Sequence, residues 1–319
     1  MRAPIFWKDK TLLSGLLLPV AAIYSCAVQA RLARTPPKTL DARVICVGNL
    51  VAGGAGKTPV ALAIGRIFKE LGKNAHYLSR GYKGTHSGVT RVDPAKHSAL
   101  EVGDEPLLLA EVLPTWVAKD RASGAAAAVA AGAEIIIMDD GFQNPSLHKD
   151  VSLLVIDGHY GLGNERVIPA GPLRENIEQA MGRVSAVIMI GEDKHNVLKY
   201  VLPGTPVLHA KVQPTAAANT LKDKAVVAFC GLAAPRKFYR TLQEIGCSIR
   251  KYVAYPDHYV FKSEDLRFLR EKAAEQEATL VTTQKDYVRL PAEMRTEVAT
   301  VPIEVVFGDR EALLKVLLA

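Results

Sequence analysis

The stretch Val44–Pro59, VICVGNLVAGGAGKTP, runs from an apolar segment through a glycine-rich turn into Gly56-Lys57-Thr58. Gly53, Gly54, Ala55 and Gly56 carry almost no side chain, so successive backbone N–H groups can converge on a phosphate chain. The helix expected next aims its positive end at the same point. Lys57 is placed to reach terminal phosphates, and the Thr58 hydroxyl to hold Mg²⁺. Pro59 suits the first turn of that helix, where no N–H is needed. The strict pattern asks for glycine at position 51, where this chain has Val51. A purely structural glycine turn is the alternative reading. Gly-Lys-Thr behind a strand favours nucleotide binding, with ATP and Mg²⁺ as the cofactors.

A second group of chemical residues follows the apolar run Glu134–Met138, which ends in Asp139-Asp140-Gly141-Phe142-Gln143. An acidic residue at the C-terminal end of a parallel strand lies at the edge where phosphates bind, and there it holds Mg²⁺ directly or through water. Two adjacent carboxylates repel unless a cation joins them, which argues against a merely solvated acidic turn. Asp104, in Val102–Pro106, has the position of a helix cap. Pro169–Glu175, PAGPLRE, sets Arg174 beside Glu175 in a rigid turn: a surface ion pair, or a clamp for phosphate and metal. His258, in Tyr255–Tyr259, sits in a turn, where a lone histidine is ordinarily solvated.

The elements that must position these residues alternate strand and helix. Strands are expected at Arg43–Val47, Ala75–Ser79, Thr115–Ala118, Glu134–Met138, Val151–Ile156 and Ser185–Ile190. Helices are expected at Thr58–Leu71, Glu105–Val112 and Arg121–Ala131. Such alternation predicts an α/β fold with a parallel sheet covered by helices on both faces. Around Leu202–Pro214 the rhythm breaks, with Pro203, Pro206 and Pro214 bracketing Val207–Val212. A second series follows: strands at Ala225–Cys230, Ser248–Val253, Thr279–Thr282 and Pro302–Phe307, and helices near Arg236–Ile245, Ser263–Glu275 and Asp309–Leu318. Ser263 and Asp309 read as N-caps. The expected domains are an N-terminal helix (1–34), a P-loop domain (35–206) and a smaller α/β lobe (207–319), hinged within Leu202–Pro214.

At 319 residues and 49% hydrophobic, the chain can bury two cores. Its four cysteines form no C-x-x-C pair, and its eight histidines no H-x-x-x-H pair, so neither a zinc site nor a disulfide framework is indicated. The net charge of +7 points to anionic partners, or to a generally basic solvated surface. Nucleic acid is disfavoured, because no recognition helix, zinc finger or aromatic-basic motif is present.

Thr11–Ala30, TLLSGLLLPVAAIYSCAVQA, carries no charge and is flanked by Arg2, Lys8 and Lys10 before it and Arg31, Arg34, Lys38 and Arg43 after it. A signal peptide, a spanning helix, an interfacial helix and a buried core helix compete. An ATP-using loop must face the cytosol, basic flanks on both sides set no inside–outside asymmetry, and Pro19 opposes a straight span. The expectation is a helix embedded from the cytosolic side, with spanning as the runner-up.

In this order the motifs resemble the tetraacyldisaccharide 4'-kinases, the membrane-associated lipid A kinases of Gram-negative bacteria. The matching stretches are Gly48–Pro59, Leu78–Gly84, Val102–Pro106, Lys119–Arg121, Asp139–Asn144, Pro169–Glu175, Gly231–Leu242, Tyr255–Tyr259 and Val281–Leu290, and the resemblance extends over essentially the whole chain, including the apolar N-terminus. The resemblance implies a P-loop NTPase-like fold and transfer of the ATP γ-phosphate to the 4'-hydroxyl of a tetraacylated glucosamine disaccharide 1-phosphate, giving lipid IVA. It implies nucleotide and Mg²⁺ roles for Lys57 and Thr58, a metal-side pair in Asp139 and Asp140, and a clamp in Arg174 and Glu175, with Glu175 toward the metal. It makes Asp104 the base and His258 the residue that orients it. It also implies a peripheral or monotopic location on the cytoplasmic face of the inner membrane, in contact with membrane lipid. Lys83, where many members have glycine, and Glu165, which interrupts the small-residue turn Gly161–Arg166, are departures.

A partition-type or dethiobiotin-synthetase-like ATPase is the competing enzyme. Partition ATPases place a lysine before the two glycines, where this chain has Ala52. A non-enzymatic membrane-bound nucleotide switch would have no use for an Asp104–His258 pair.

Overall fold

The computed structural model describes residues 4–319. A 3₁₀ turn, Ile5–Trp7, leads into α1 (Leu12–Leu16) and α2 (Leu18–Arg34). Thr11 caps α1, its hydroxyl accepting from the Ser14 backbone at 3.3 Å. Pro19 falls in the first turn of α2, so the apolar run breaks into two helices at Leu17. Among the described residues, no helix is long and apolar enough to cross a membrane. Arg2, one of the basic flanking residues, lies outside the described residues.

The first lobe begins with β1 (Arg43–Gly48), α3 (Lys57–Glu70), β2 (Ala75–Ser79) and β3 (Thr90–Arg91). It continues with α4 (Ala99–Val102), α5 (Asp104–Ala110), β4 (Thr115–Val117), α6 (Arg121–Ala130) and β5 (Ile135–Asp139). Then come β6 (Val151–Asp157), α7 (Ile177–Met181), β7 (Ala186–Ile190) and β8 (Val207–Pro214). The second lobe holds β9 (Ala225–Cys230), α8 (Pro235–Ile245), β10 (Ser248–Ala254), α9 (Ser263–Glu275), β11 (Thr279–Thr283), α10 (Gln284–Tyr287), α11 (Ala292–Arg295) and β12 (Val298–Val301). The chain then returns to the first lobe as β13 (Ile303–Phe307) and α12 (Arg310–Leu318).

Among the described residues the larger sheet has nine strands, in the order β13-β8-β7-β6-β1-β5-β2-β4-β3. Every pairing is parallel except those of the two edge strands, β13 on β8 and β3 on β4. Both faces are covered, as a parallel sheet requires. Alternation within β1 shows the consequence: Ile45 and Val47 join the core under α3 and α12, with Ile64, Phe68, Leu313 and Leu317. Val44 and Cys46 join the opposite core, with Ala122, Ala125 and Ala128 of α6 and Ile177 and Met181 of α7. The second lobe is a four-stranded sheet of order β10-β9-β11-β12, all parallel, with its own two cores.

The expected boundary at 206/207 is corrected. Val207–Pro214 is a strand of the larger sheet, paired to β7 and β13, and the second sheet starts only at Ala225. The prolines there bracket a strand rather than a hinge, and the second lobe is an insertion between β8 and β13. Two smaller corrections follow. The N-cap of α9 is Lys262, with Ser263 already helical and Asp265 Oδ2 accepting from the Lys262 backbone at 2.9 Å. The helix carrying Asp104 is preceded by Gly103, which offers no side-chain cap, so Asp104 is free for other work. Asp309 does cap α12, accepting from Ala312 N at 2.9 Å.

Candidate active site

The phosphate loop rises from β1 and closes on α3 through Gly56, whose φ of 87° admits glycine most readily. Ala55 is buried, and the space above Gly53 and Gly54 is open: a Cβ added at either would meet nothing within 4 Å. Lys57 and Thr58 are the first two residues of α3. Burial pushes the Lys57 ammonium down from its ordinary range, against the opposing pull of Asp140.

Parallel pairing sets Val47 against Asp139, so the end of β5 comes up beside the phosphate loop. Thr58 Oγ1 donates to Asp139 Oδ2 at 2.9 Å. The other oxygen, Asp139 Oδ1, is buried with no hydrogen-bond partner among the described residues. Burial, and then the charge of Asp140, pushes the Asp139 carboxyl up to about 7. A buried carboxylate with an orphaned oxygen beside a threonine hydroxyl suits a hard divalent cation such as Mg²⁺. Burial would raise Asp140 too, but Lys57, 3.7 Å away, and Arg174 outweigh it and hold this carboxyl low.

Arg174 grips Asp140 through both oxygens, Nη1 to Oδ1 at 2.7 Å and Nη2 to Oδ2 at 3.2 Å. The loop that carries it is braced against the phosphate loop, with Arg174 N donating to Leu50 O and Ala52 N to Pro172 O, each at 2.8 Å. Gly48 lets the end of β1 approach the segment after β5, since a Cβ there would stand 2.3 Å from Phe142 Cβ. Glu175 is a correction. It is fully buried, accepts from Gln143 Nε2 at 3.0 Å and is ion-paired with Arg183. Both its oxygens are thus taken by protein donors, and it does not join Thr58 and Asp139 as a metal ligand. The bend at Arg174-Glu175 sends the first side chain to Asp140 and the second to Gln143 and Arg183. Gln143 links the two, its Oε1 accepting from Arg174 at 3.3 Å and its Nε2 donating to Asn49 O at 2.9 Å.

Asp104, on the first lobe, and His258, on the second, meet across the cleft, His258 Nδ1 lying 2.7 Å from Asp104 Oδ2. The helix α5 that presents Asp104 packs on β2, β4 and α3, and the charge of the next residue, Glu105, reaches Lys57 and Asp139. Burial acts to raise Asp104, but the His258 hydrogen bond and the Arg289 charge outweigh it and keep the carboxyl below its ordinary value. Asp104, Glu105 and His258 stand close enough together to hold a metal. Lys285 and Arg289 already neutralise their carboxylates, at 2.7 Å from Glu105 and 2.8 Å from Asp104. Tyr82 sets its ring edge-on to His258, centroids 5.6 Å apart.

Two site residues sit in the left-handed backbone region without being glycine: Asp140 at φ 58° and His258 at φ 57°. Such conformations cost about 1–3 kcal/mol and collect at functional sites. Lys83 and Glu165 share the feature, at φ 64° and 62°, a conformation that glycine adopts with less strain. Sequence reasoning did not single out Arg289, Lys285, Gln143, Tyr82 or Arg183. The stretch Val281–Leu290 was the one signal pointing at the first two.

The model of the tetraacyldisaccharide-1-P 4'-kinase family matches residues 13–319. The tetraacyldisaccharide 4'-kinase of Rhodospirillum centenum is 47% identical, over 98% of this chain and 95% of its own length. That of Rhodospirillum rubrum is also 47% identical, over 97% and 95%. A crystal structure of LpxK from Aquifex aeolicus in complex with ATP superposes with a TM-score of 0.78 at 28% identity, covering 96% of this chain and 98% of the other. A phosphate loop, an acidic strand end and full-length similarity agree: this chain belongs to the tetraacyldisaccharide 4'-kinase family.

Proposed function

We propose that this chain transfers the γ-phosphate of ATP to the 4'-hydroxyl of a tetraacylated glucosamine disaccharide 1-phosphate, giving lipid IVA, with Asp104 as the base. The observation that carries the assignment of the base is the 2.7 Å contact between Asp104 and His258, supplied by different lobes. The 4'-oxygen forms the new bond to the γ-phosphorus, the bond to the β,γ-bridging oxygen breaks, and ADP leaves. The hydroxyl proton passes to Asp104, which His258 holds in place. Lys57 meets the charge that builds on the transferring group. Thr58 and Asp139 are the residues that would hold Mg²⁺, which would supply positive charge to offset that of the phosphates. Arg174 keeps Asp140 beside Lys57.

The test is transfer of label from γ-labelled ATP, with and without the acylated disaccharide. Label appearing in lipid at the 4'-position supports the reading. Hydrolysis to free phosphate at the same rate with or without lipid overturns it. Asp139→Asn is expected to lower turnover about 100-fold or more and to raise the Mg²⁺ concentration needed for half-maximal rate. An unchanged Mg²⁺ titration would remove Asp139 from the metal.

The N-terminal helices support attachment to the cytoplasmic face of the inner membrane, where the lipid substrate resides. Leu12, Leu16, Val20 and Ile23 are all more than half exposed, at 83%, 70%, 52% and 72%. Each contributes about 1.5–3 kcal/mol when fully withdrawn from water. Lys8, Lys10, Arg31 and Arg34 flank them and suit an anionic bilayer surface. The base of this arm is fixed to the site loop: Trp7 Nε1 donates to Pro169 O at 3.0 Å, Asn164 Nδ2 to Phe6 O at 3.0 Å, and Arg166 Nη1 to Ser14 Oγ at 2.8 Å. Deleting residues 1–34 is expected to abolish sedimentation with anionic vesicles while ATP binding survives. Continued sedimentation at high salt would place the anchor elsewhere.

A further inference from the structure

The hydrogen bonding around Asp104 is one-sided. His258 Nδ1 lies 2.7 Å from Oδ2, and Arg289 Nε donates to the same Oδ2 at 2.8 Å. An arginine beside a carboxylate ordinarily closes a fork on both oxygens. Here the fork is not closed. Arg289 Nη1 is turned away to Asp286 Oδ1 at 2.9 Å and Gly231 O at 3.2 Å, and Nη2 is buried without a partner among the described residues. No donor among the described residues reaches Asp104 Oδ1.

Arg289 itself is held firmly, with a side chain only 4% exposed. Asp286 Oδ1 also accepts from Gly231 N at 2.8 Å, and Gly231 O accepts from His258 N at 3.2 Å, so one backbone residue ties guanidinium and imidazole together. On the far side of the ring, Lys285 Nζ stands 3.3 Å from His258 Nε2 while bridging to Glu105 Oε1 at 2.7 Å. An ammonium group can only donate. Nε2 must therefore accept, which leaves the ring proton on Nδ1, pointing at Asp104.

Resting on the reading of Asp104 as the base, we propose that Lys285 and Arg289 are positioning residues for the phosphoryl transfer. Lys285 fixes the tautomer of His258, and Arg289 shares Oδ2 with that ring, so that Oδ1 alone faces the incoming hydroxyl. Both come from the stretch Val281–Leu290 of the second lobe, so docking of that lobe completes the base rather than only covering it. The charged and titratable groups facing the pair are Glu105 on α5, Lys285 and Asp286 on α10, Arg289 just after it, Asp257 at 3.8 Å from His258 Nε2, and Tyr82 at the ring edge.

The test uses the full-length protein in five variants, with kcat, ATP binding, pH profile and ring-nitrogen NMR as readouts. Lys285→Met is expected to lower kcat about 10–100-fold, the scale of a misplaced catalytic group, with ATP affinity within about twofold of wild type. In ¹⁵N-histidine spectra its His258 Nε2 signal, identified by its loss in His258→Gln, should move from the unprotonated toward the protonated position. A role confined to bridging the lobes would not move that signal. Arg289→Gln should shift the acid limb of kcat/KM upward by about one pH unit, because it removes a cation that keeps Asp104 ionised. Arg289→Lys should recover part of the loss. If Arg289→Gln fails to fold, Lys285→Met decides. Wild-type kcat and an unmoved Nε2 signal in Lys285→Met would overturn the inference. Asp104→Asn separates it from its premise: an active Asp104→Asn removes the base reading and this inference with it. An inactive Asp104→Asn beside an unaffected Lys285→Met removes the inference alone.

Discussion

Lys57→Ala is expected to lower phosphoryl transfer about 10²–10³-fold or more, with the fold intact. The side chain leaves the first turn of α3 and is only 11% exposed, so its charge acts in a poorly screened environment beside the phosphate loop. Its one ion-pair partner among the described residues, Asp140, is gripped more closely by Arg174 at 2.7 Å, so removing the lysine does not strand a buried anion. Thermal unfolding should therefore move little while turnover collapses. Lys57→Arg should not rescue, because a planar fork does not replace a compact ammonium that tracks a moving phosphoryl group. Turnover of Lys57→Ala near the wild-type rate would show that this loop binds but does not catalyse.

Asp104→Ala should lower kcat by about 10²–10⁴-fold while leaving ATP affinity nearly unchanged, since a base contributes only once the hydroxyl begins to attack. Arg289 keeps Asp286 as its partner in that variant, so the loss is catalytic rather than structural. His258→Ala should cost less. The double variant should lose little more than Asp104→Ala alone, because the two act as one unit. A product of the two separate losses would show that they act independently, and His258 would then be assigned to substrate binding.

The residues that were legible in sequence are those whose chemistry is contiguous. Gly56-Lys57-Thr58 and Asp139-Asp140 announce themselves because an apolar strand leads straight into them, and strand direction alone decides which sheet edge they occupy. Partners from distant segments were not legible. Nothing in Gln284–Tyr287 says that Lys285 will stand against His258, because that contact depends on how the two lobes dock. Glu175 was misplaced because sequence adjacency to Arg174 suggested a shared target, whereas the bend there sends Arg174 to Asp140 and Glu175 to Gln143 and Arg183. The prolines around Val207–Pro214 read as a hinge because they border a strand whose partner, Ile303–Phe307, comes almost ninety residues later. Strand β3, two residues long, and strand β12, Val298–Val301, with Ala299 and Thr300 at its centre, carry too little apolar periodicity to be seen.

That late partner has a consequence during synthesis. Until Ile303–Phe307 has been made, β8 is an edge strand with one row of N–H and C=O groups unpaired. Leu313 and Leu317 of α12, which are fully buried on the first core, and the Arg43 Nε bond to Leu317 O at 2.9 Å are missing over the same interval. A ribosome adds about 5–20 residues per second, so the first lobe waits several seconds, incomplete and exposed, while the second is threaded out. The second lobe, with its own parallel sheet and cores, needs nothing that comes after it. Chains truncated just before residue 303 and released from the ribosome should therefore yield a protease-resistant second lobe beside a first lobe that is still readily cut, the reverse of the order in which the two begin.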